Sequence, residues 1–416
     1  MIPFKASKLY IVDGIEEDSF MRKRARRLQT GIRAEAVEHV GDAELNQAVK
    51  AGELGEGHCG MKAEIEPVVI FNRFRFHDSP EVQKERRERF PELFGKTRLS
   101  GYGGFDFRES GSPAYRKRTK LICQPAWQLH SIVGCVFRCA YCHLTHHISI
   151  MMNMEEFVER LDENIRKAPR QTLYQYDNYT DSVCFEPEYG ASRLLVEYFA
   201  GRKNEYLELY VGKSDHVAHL LNLEHGGQTV CCWSVAGETQ CTEIEYKSAS
   251  MSDRIRSARL CQEAGYHVRF RLSPIVPVRN WRDENREMID AIFTETRPDV
   301  ITFETLRFLD YARIRELFDP ELLDPEFLSI MEEAHGKEHT QGCQIPDAYR
   351  EKVYRFIIDE IERVSPETPY SLCRGSQAMW DTLAGDFARH GQTPGNYVCN
   401  CGPTSAPGNE LLRISA

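Results

Sequence analysis

From Leu121 onward, short runs of apolar and β-branched residues alternate with longer stretches whose apolar positions recur at helical spacing. That succession predicts βα units on a parallel sheet. Strands are expected at 132–133, 182–185, 207–211, 229–235, 267–272 and 299–306. A helix should open at Asn153, with Glu156 completing an approximate capping box and Phe157, Leu161 and Ile165 on one face. Further helices are expected over 192–199, after a cap at Asp215, over 252–264 up to Gly265, and around Met288, Ile289, Ile292 and Phe293. Six parallel strands are too few for the closed eight-stranded barrel. The pattern therefore predicts an α/β fold: a partial (β/α)6 TIM-like barrel with an N-terminal accessory region and a C-terminal extension.

Three segments follow. Residues 1–120 form the accessory region, with a strand at 8–12, a charged helix from about Glu16 and an apolar run at 68–71. His58 and Cys59, within it, read as ordinary residues. Residues 121–310 form the core. Residues 311–416 form the extension, with a helix over 347–364 and a tail carrying Cys373, Cys399 and Cys401. The tail is expected to fold over the open side of the barrel and exclude water from it.

Chemistry concentrates at the carboxyl ends of the strands, where a barrel of this build holds its active site. Polar residues recur there: Glu186, Glu188, Lys213, Ser234, Arg271 and Glu304. The first expected strand runs into Gly134-Cys135-Val136-Phe137-Arg138-Cys139-Ala140-Tyr141-Cys142-His143, where three cysteines stand at C-x3-C-x2-C spacing. Three convergent thiolates suit iron or zinc. A closed zinc site needs a fourth ligand, for which His143, His146 and His147 are at hand. A [4Fe–4S] cluster on three cysteines leaves one iron open. The loop allows both, but a zinc module needs no barrel around it.

Composition narrows the setting. The chain has 416 residues, 41% hydrophobic and 28% charged, with no apolar run near the ~20 residues of a membrane span. The start, Met1-Ile2-Pro3-Phe4-Lys5, has no signal-peptide core, so a cytoplasmic protein with no membrane contact is expected. In a reducing compartment 14 cysteines point to buried thiols, metal ligands or reactive groups rather than disulfides. A net charge of −10 argues mildly against a nucleic-acid coat, because such binding rests on phosphate neutralisation.

The cysteine loop, with an aromatic residue just before its third cysteine, resembles the signature of radical S-adenosylmethionine (SAM) enzymes. Together with Phe185-Glu186, Gly212-Lys213, Asp215-His216-Val217, the Ser234 strand and Pro274-Ile275, it resembles the spore photoproduct lyase family across roughly 120–310. The resemblance implies a [4Fe–4S] cluster on Cys135, Cys139 and Cys142 and S-adenosylmethionine as cosubstrate. It implies SAM contacts for Tyr141, Glu186, Lys213 and Ser234, and Arg271 joins them as a rim residue. It also implies a low-potential electron donor of flavodoxin or ferredoxin type.

Two departures bear on the reaction. The lyases carry a hydrogen-donating cysteine shortly after the Phe-Glu pair, where this chain has Tyr189, and a tyrosine where it has His143. The donor role is then expected at Cys399 or Cys401, with Tyr189 in the relay position. A second Fe–S cluster or zinc at Cys373, Cys399 and Cys401, with Cys343 as a further ligand, is one alternative, and inert buried thiols are the other. The expected substrate is a small molecule or peptide. The alternatives are a DNA-lesion lyase and a zinc-binding nucleic-acid module without catalysis.

Overall fold

The computed structural model describes residues 1–54, 66–95, 98–145, 147–337 and 345–412. Its main sheet has eight strands: β1 (Phe105–Arg108), β2 (Ala126–Leu129), β3 (Leu173–Tyr176), β4 (Tyr206–Gly212), β5 (Thr229–Ser234), β6 (His267–Ile275), β7 (Ile301–Thr305) and β8 (Tyr370–Leu372). They lie side by side in chain order. Strands β2 to β8 run parallel, and β1 is antiparallel to β2 at one edge. The two edge strands, β1 and β8, do not pair, so the barrel is open. The expected partial α/β barrel is present, with seven parallel strands rather than six.

The inner strands are covered on both faces, whereas β1 at the edge leaves Phe107 exposed. In β4, Leu207, Leu209 and Val211 are fully buried, and so is the alternating Glu208. The Met154–Arg166 helix buries Phe157, Leu161 and Ile165, the face its spacing predicts. Asn153 does not cap the backbone; its amide instead holds Phe74 and Glu156.

Two strands differ from expectation. Ile132–Val133 pairs antiparallel with Ile148–Met151 in a second sheet, and the barrel strand is the preceding Ala126–Leu129. Gly134, at φ +98°, redirects the chain there; a Cβ would stand 2.2 Å from the His147 carbonyl oxygen. Residues 182–185 form turns over the end of β4, where Ser182 donates through its hydroxyl to the Tyr210 carbonyl at 2.6 Å. The strand is the earlier Leu-Tyr-Gln-Tyr of β3, whose Gln175 faces Gln128 rather than solvent. After β4 the segment with Val217, Leu220 and Leu221 is turns, not a helix.

The N-terminal region contributes three parallel strands, Val37–Val40, Lys8–Val12 and Val68–Asn72, to the second sheet. Ile132–Val133 and Ile148–Met151, which flank the cysteine loop, complete it. Arg24 clamps the junction, donating to the Tyr189 carbonyl at 2.7 Å and pairing with Glu155 at 2.8 Å.

The C-terminal segment adds β8 to the barrel and then passes beneath it. Pro403 accepts from the Thr172 and Leu173 amides at the amino end of β3, at 2.7 and 3.1 Å. Arg269, fully buried, pairs with Asp299 through both carboxylate oxygens at 2.7 Å and donates to the Asn400 and Ser405 carbonyls. Ala406 packs with Leu173 and Val230, and Val398 with Val300. The tail is thus a plug at the amino ends of the strands. The expected cover over the open side is not what it forms, because these partners all lie at the strand starts. Among the described residues no helix is long and apolar enough to cross a membrane.

Candidate active site

A cavity of about 480 Å³ opens at the carboxyl ends of the strands. Cys135, Cys139 and Cys142 line it together with Tyr141, Lys213, Arg271 and Cys401. The cysteine loop is anchored from behind: Arg138–Cys139 pairs antiparallel with Glu245–Tyr246. Glu245 accepts from the Tyr141 hydroxyl and forms a buried ion pair with Arg254 at 2.7 Å. Gln240 donates to the same carboxylate at 2.8 Å. Burial would raise the Glu245 carboxyl, but Arg254 and Lys213 hold it below its ordinary value. The charged carboxylate therefore fixes the aromatic residue between the second and third cysteines.

Lys213 stands after β4 with its ammonium 5.7 Å from the Tyr141 ring centroid. Burial would depress its pKa, yet Glu245 and Cys139 raise it, so it stays a cation. Its amide donates to Asp181 at 2.8 Å. Gly212, at φ +81°, makes this possible, since a Cβ there would stand 2.6 Å from the Asp181 carboxylate. Hydrogen bonding from Cys184 pulls the Cys135 thiol down, while burial pushes Cys139 up.

The opposite wall carries a second set of sulfurs. Cys123, Cys373 and Cys401 all face the cavity. Arg108 donates to the Cys401 sulfur at 2.8 Å, and Arg271 approaches the Cys373 sulfur at 3.6 Å. A hydrogen bond from Cys399, aided by Arg108 and Arg271, lowers Cys401 well below the usual thiol range despite burial. Cys373 moves the other way: burial, with Glu304 nearby, pushes it up to about 12. The two thiols on this wall are thus shifted in opposite directions.

Four residues expected at the site do not line the cavity. Glu186 is buried and accepts from the Gly190 and Ser192 amides at 2.7 and 2.8 Å, capping the Ala191–Ala200 helix. Tyr189 is fully buried, its hydroxyl donating to the Met151 carbonyl at 2.8 Å. Ser234 lies one layer back, paired with the Tyr210 hydroxyl at 2.7 Å. Cys399 sits behind Cys401, to which it is hydrogen-bonded. Conversely, Arg108, Asp181 and Glu245 belong to no expected site. Their local sequence carries no motif, and only the fold brings them to the chemistry.

The donor set fits a cluster better than a closed zinc site. Cys135, Cys139 and Cys142, none of them in a disulfide, face one cavity. His143 packs against Phe308, with ring centroids 5.5 Å apart, and His146 and Cys343 lie outside the described residues. Among the described residues no three His, Cys, Asp or Glu side chains stand at the spacing of a single bound ion, and this holds for Cys135, Cys139 and Cys142 as well as for Cys373, Cys399 and Cys401.

A family model described as spore photoproduct lyase matches residues 125–315. The spore photoproduct lyase of Clostridium acetobutylicum is 28% identical over 203 residues, 46% of this chain and 60% of that protein. That of Bacillus subtilis is 26% identical over 184 residues, 42% of this chain and 54% of that protein. The chain thus spans somewhat more than half the length of these relatives. A solved spore photoproduct lyase complexed with dinucleoside spore photoproduct has a TM-score of 0.61 at 17% identity, covering 89% of this chain and 100% of that one. A mutant lyase with bound AdoMet and the same dinucleoside has a TM-score of 0.60 at 16% identity, covering 89% and 98%. The fold is shared, and across the middle of its sequence the chain is similar to spore photoproduct lyase. These findings overturn the expectation of a small-molecule or peptide substrate: the two solved lyases named above, which share this fold, hold a dinucleoside spore photoproduct.

Proposed function

We propose that this protein is a radical SAM lyase acting on a thymine photodimer of DNA. The observation that carries the reading is the three-cysteine loop facing one cavity at the carboxyl ends of the parallel strands, within the stretch matched by the lyase family. Cys135, Cys139 and Cys142 would hold a [4Fe–4S] cluster. Such a cluster supplies the electron that cleaves SAM and so starts hydrogen abstraction.

The chain's own residues divide the remaining work. Lys213, a half-buried cation, would hold the SAM carboxylate by a charge-assisted hydrogen bond. Tyr141, held by Glu245, forms the adjoining wall. The hydrogen donor is Cys373. It faces the cavity and keeps its proton at neutral pH, so it can return a hydrogen atom to the substrate. Cys401, beside Arg108 and Arg271, is shifted toward losing its proton and is the poorer donor, and Cys399 does not line the cavity. Glu186 and Tyr189 hold the scaffold instead.

Anaerobic reconstitution tests the reading. The expected product is an iron–sulfide protein that, under dithionite, cleaves SAM to 5′-deoxyadenosine and restores two thymines from the lesion in an oligonucleotide. A reconstituted protein that leaves the lesion intact would refute the substrate. Cys373→Ala should raise the ratio of 5′-deoxyadenosine formed to lesion repaired; an unchanged ratio would remove Cys373 from the donor role.

A further inference from the structure

The mouth of the cavity carries an aromatic residue in a costly position. Phe308, in the loop after β7, is 46% exposed and has φ +63°. A bulky side chain in the left-handed region is a genuine outlier. Arg374, in the loop after the neighbouring β8, also has positive φ, at +53°. The two side chains meet, with the Arg374 guanidinium 6.0 Å from the Phe308 ring centroid. Arg307 lies 5.2 Å from the same centroid, and the His143 ring of the cysteine loop 5.5 Å. All four residues line the cavity.

The fold gains little from this arrangement. Nearly half of Phe308 contributes no burial, and glycine would occupy the same backbone without strain. Strained backbone concentrates where a ligand is handled. A second observation points the same way: the Arg374 Nε is buried without a hydrogen-bond partner, although its Nη2 donates to the Tyr115 hydroxyl. A half-exposed aromatic ring flanked by guanidinium groups suits a nucleobase followed by its phosphate.

We propose that Phe308 is the stacking platform for the nucleobase flanking the lesion, with Arg374 directed at the adjoining phosphate. This rests on the lesion-DNA reading. Stacking tolerates any base, so the platform would hold the strand without reading its sequence. Phe308 is a positioning residue that turns the lesion toward the cysteine loop.

The test is fluorescence anisotropy of a dye-labelled oligonucleotide carrying one central lesion, with the reconstituted protein and SAM under anaerobic conditions. Phe308→Ala should weaken binding about tenfold, and Phe308→Trp should restore it. Phe308→Gly should weaken binding equally while its melting temperature holds or rises, because the strain is released. Wild-type affinity in Phe308→Ala would overturn the platform. So would a lowered melting temperature in Phe308→Gly, which would make the ring structural. If the wild-type protein itself does not bind the lesion oligonucleotide, the lesion-DNA reading fails and takes the platform with it. If wild type binds and the Ala variant binds equally, only the platform fails.

Discussion

At the residue scale, the site works through pairs of like groups placed in unlike surroundings. Cys373 and Cys401 share one wall, yet burial pushes the first thiol's pKa up while Cys399, Arg108 and Arg271 pull the second's down. Cys139→Ala should abolish cluster assembly, read as iron per protein after reconstitution; full iron content would count against the ligand assignment. Lys213→Ala should weaken SAM binding by at least about tenfold, the scale of one charge-assisted hydrogen bond, while iron content stays at the wild-type level. Glu208 gives a pH test. Burial first, and then Cys401 close by, push its carboxyl up to about 8. The folded state therefore binds its proton more tightly than the unfolded state. Its contribution is fully present below the ordinary Glu range and is lost as pH rises toward 8. Glu208→Gln should raise the melting temperature at pH 8 and change it little at pH 4.5, with an effect of up to about 4 kcal/mol at the higher pH. Equal gains at both values would remove the titration argument.

At the scale of elements, the tail matters more than its composition suggests. A Gly- and Pro-containing stretch with a Cys-x-Cys pair reads as a loop. In the fold it seals the barrel's floor and lifts Cys401 into the cavity, because Arg269 and Thr302 hold Asn400 from inside the barrel. Arg269→Met should destabilise the protein by about 3–5 kcal/mol, since it leaves the Asp299 carboxylate buried without its partner. Denaturant unfolding would measure this, and a loss below about 1 kcal/mol would show that water reaches Asp299. The two strands misplaced by local pattern share a cause. Gln128 and Gln175 face each other inside the barrel, so β2 and β3 carry polar residues where a buried strand ordinarily reads apolar.

At the scale of the whole molecule, a chain of net charge −10 can bind a polyanion only through local fields. The cavity gathers Arg108, Lys213, Arg271, Arg307 and Arg374 from widely separated parts of the sequence. Lesion-DNA affinity should therefore fall with rising salt, with a log–log slope of roughly −2 to −4 for the few phosphates such a mouth can touch. Arg374→Gln should make that slope shallower by about one. A salt-independent affinity would place the DNA elsewhere.

The cysteine spacing, the βα succession and four of the eight main-sheet strands were legible in the sequence, because ligand spacing and apolar periodicity are local properties of a chain. The Met154–Arg166 helix shows its buried face at the expected positions for that reason. The remainder depended on contacts between distant residues. Glu245 reaches Tyr141 across more than a hundred positions, and Arg108 reaches Cys401 across nearly three hundred. Glu186 and Tyr189 sit beside a matching motif, but a helix cap and a carbonyl partner claim them. Which polar group at a strand end faces the cavity, and which thiol keeps its proton, is decided by what packs against it, and only the tertiary structure supplies those neighbours.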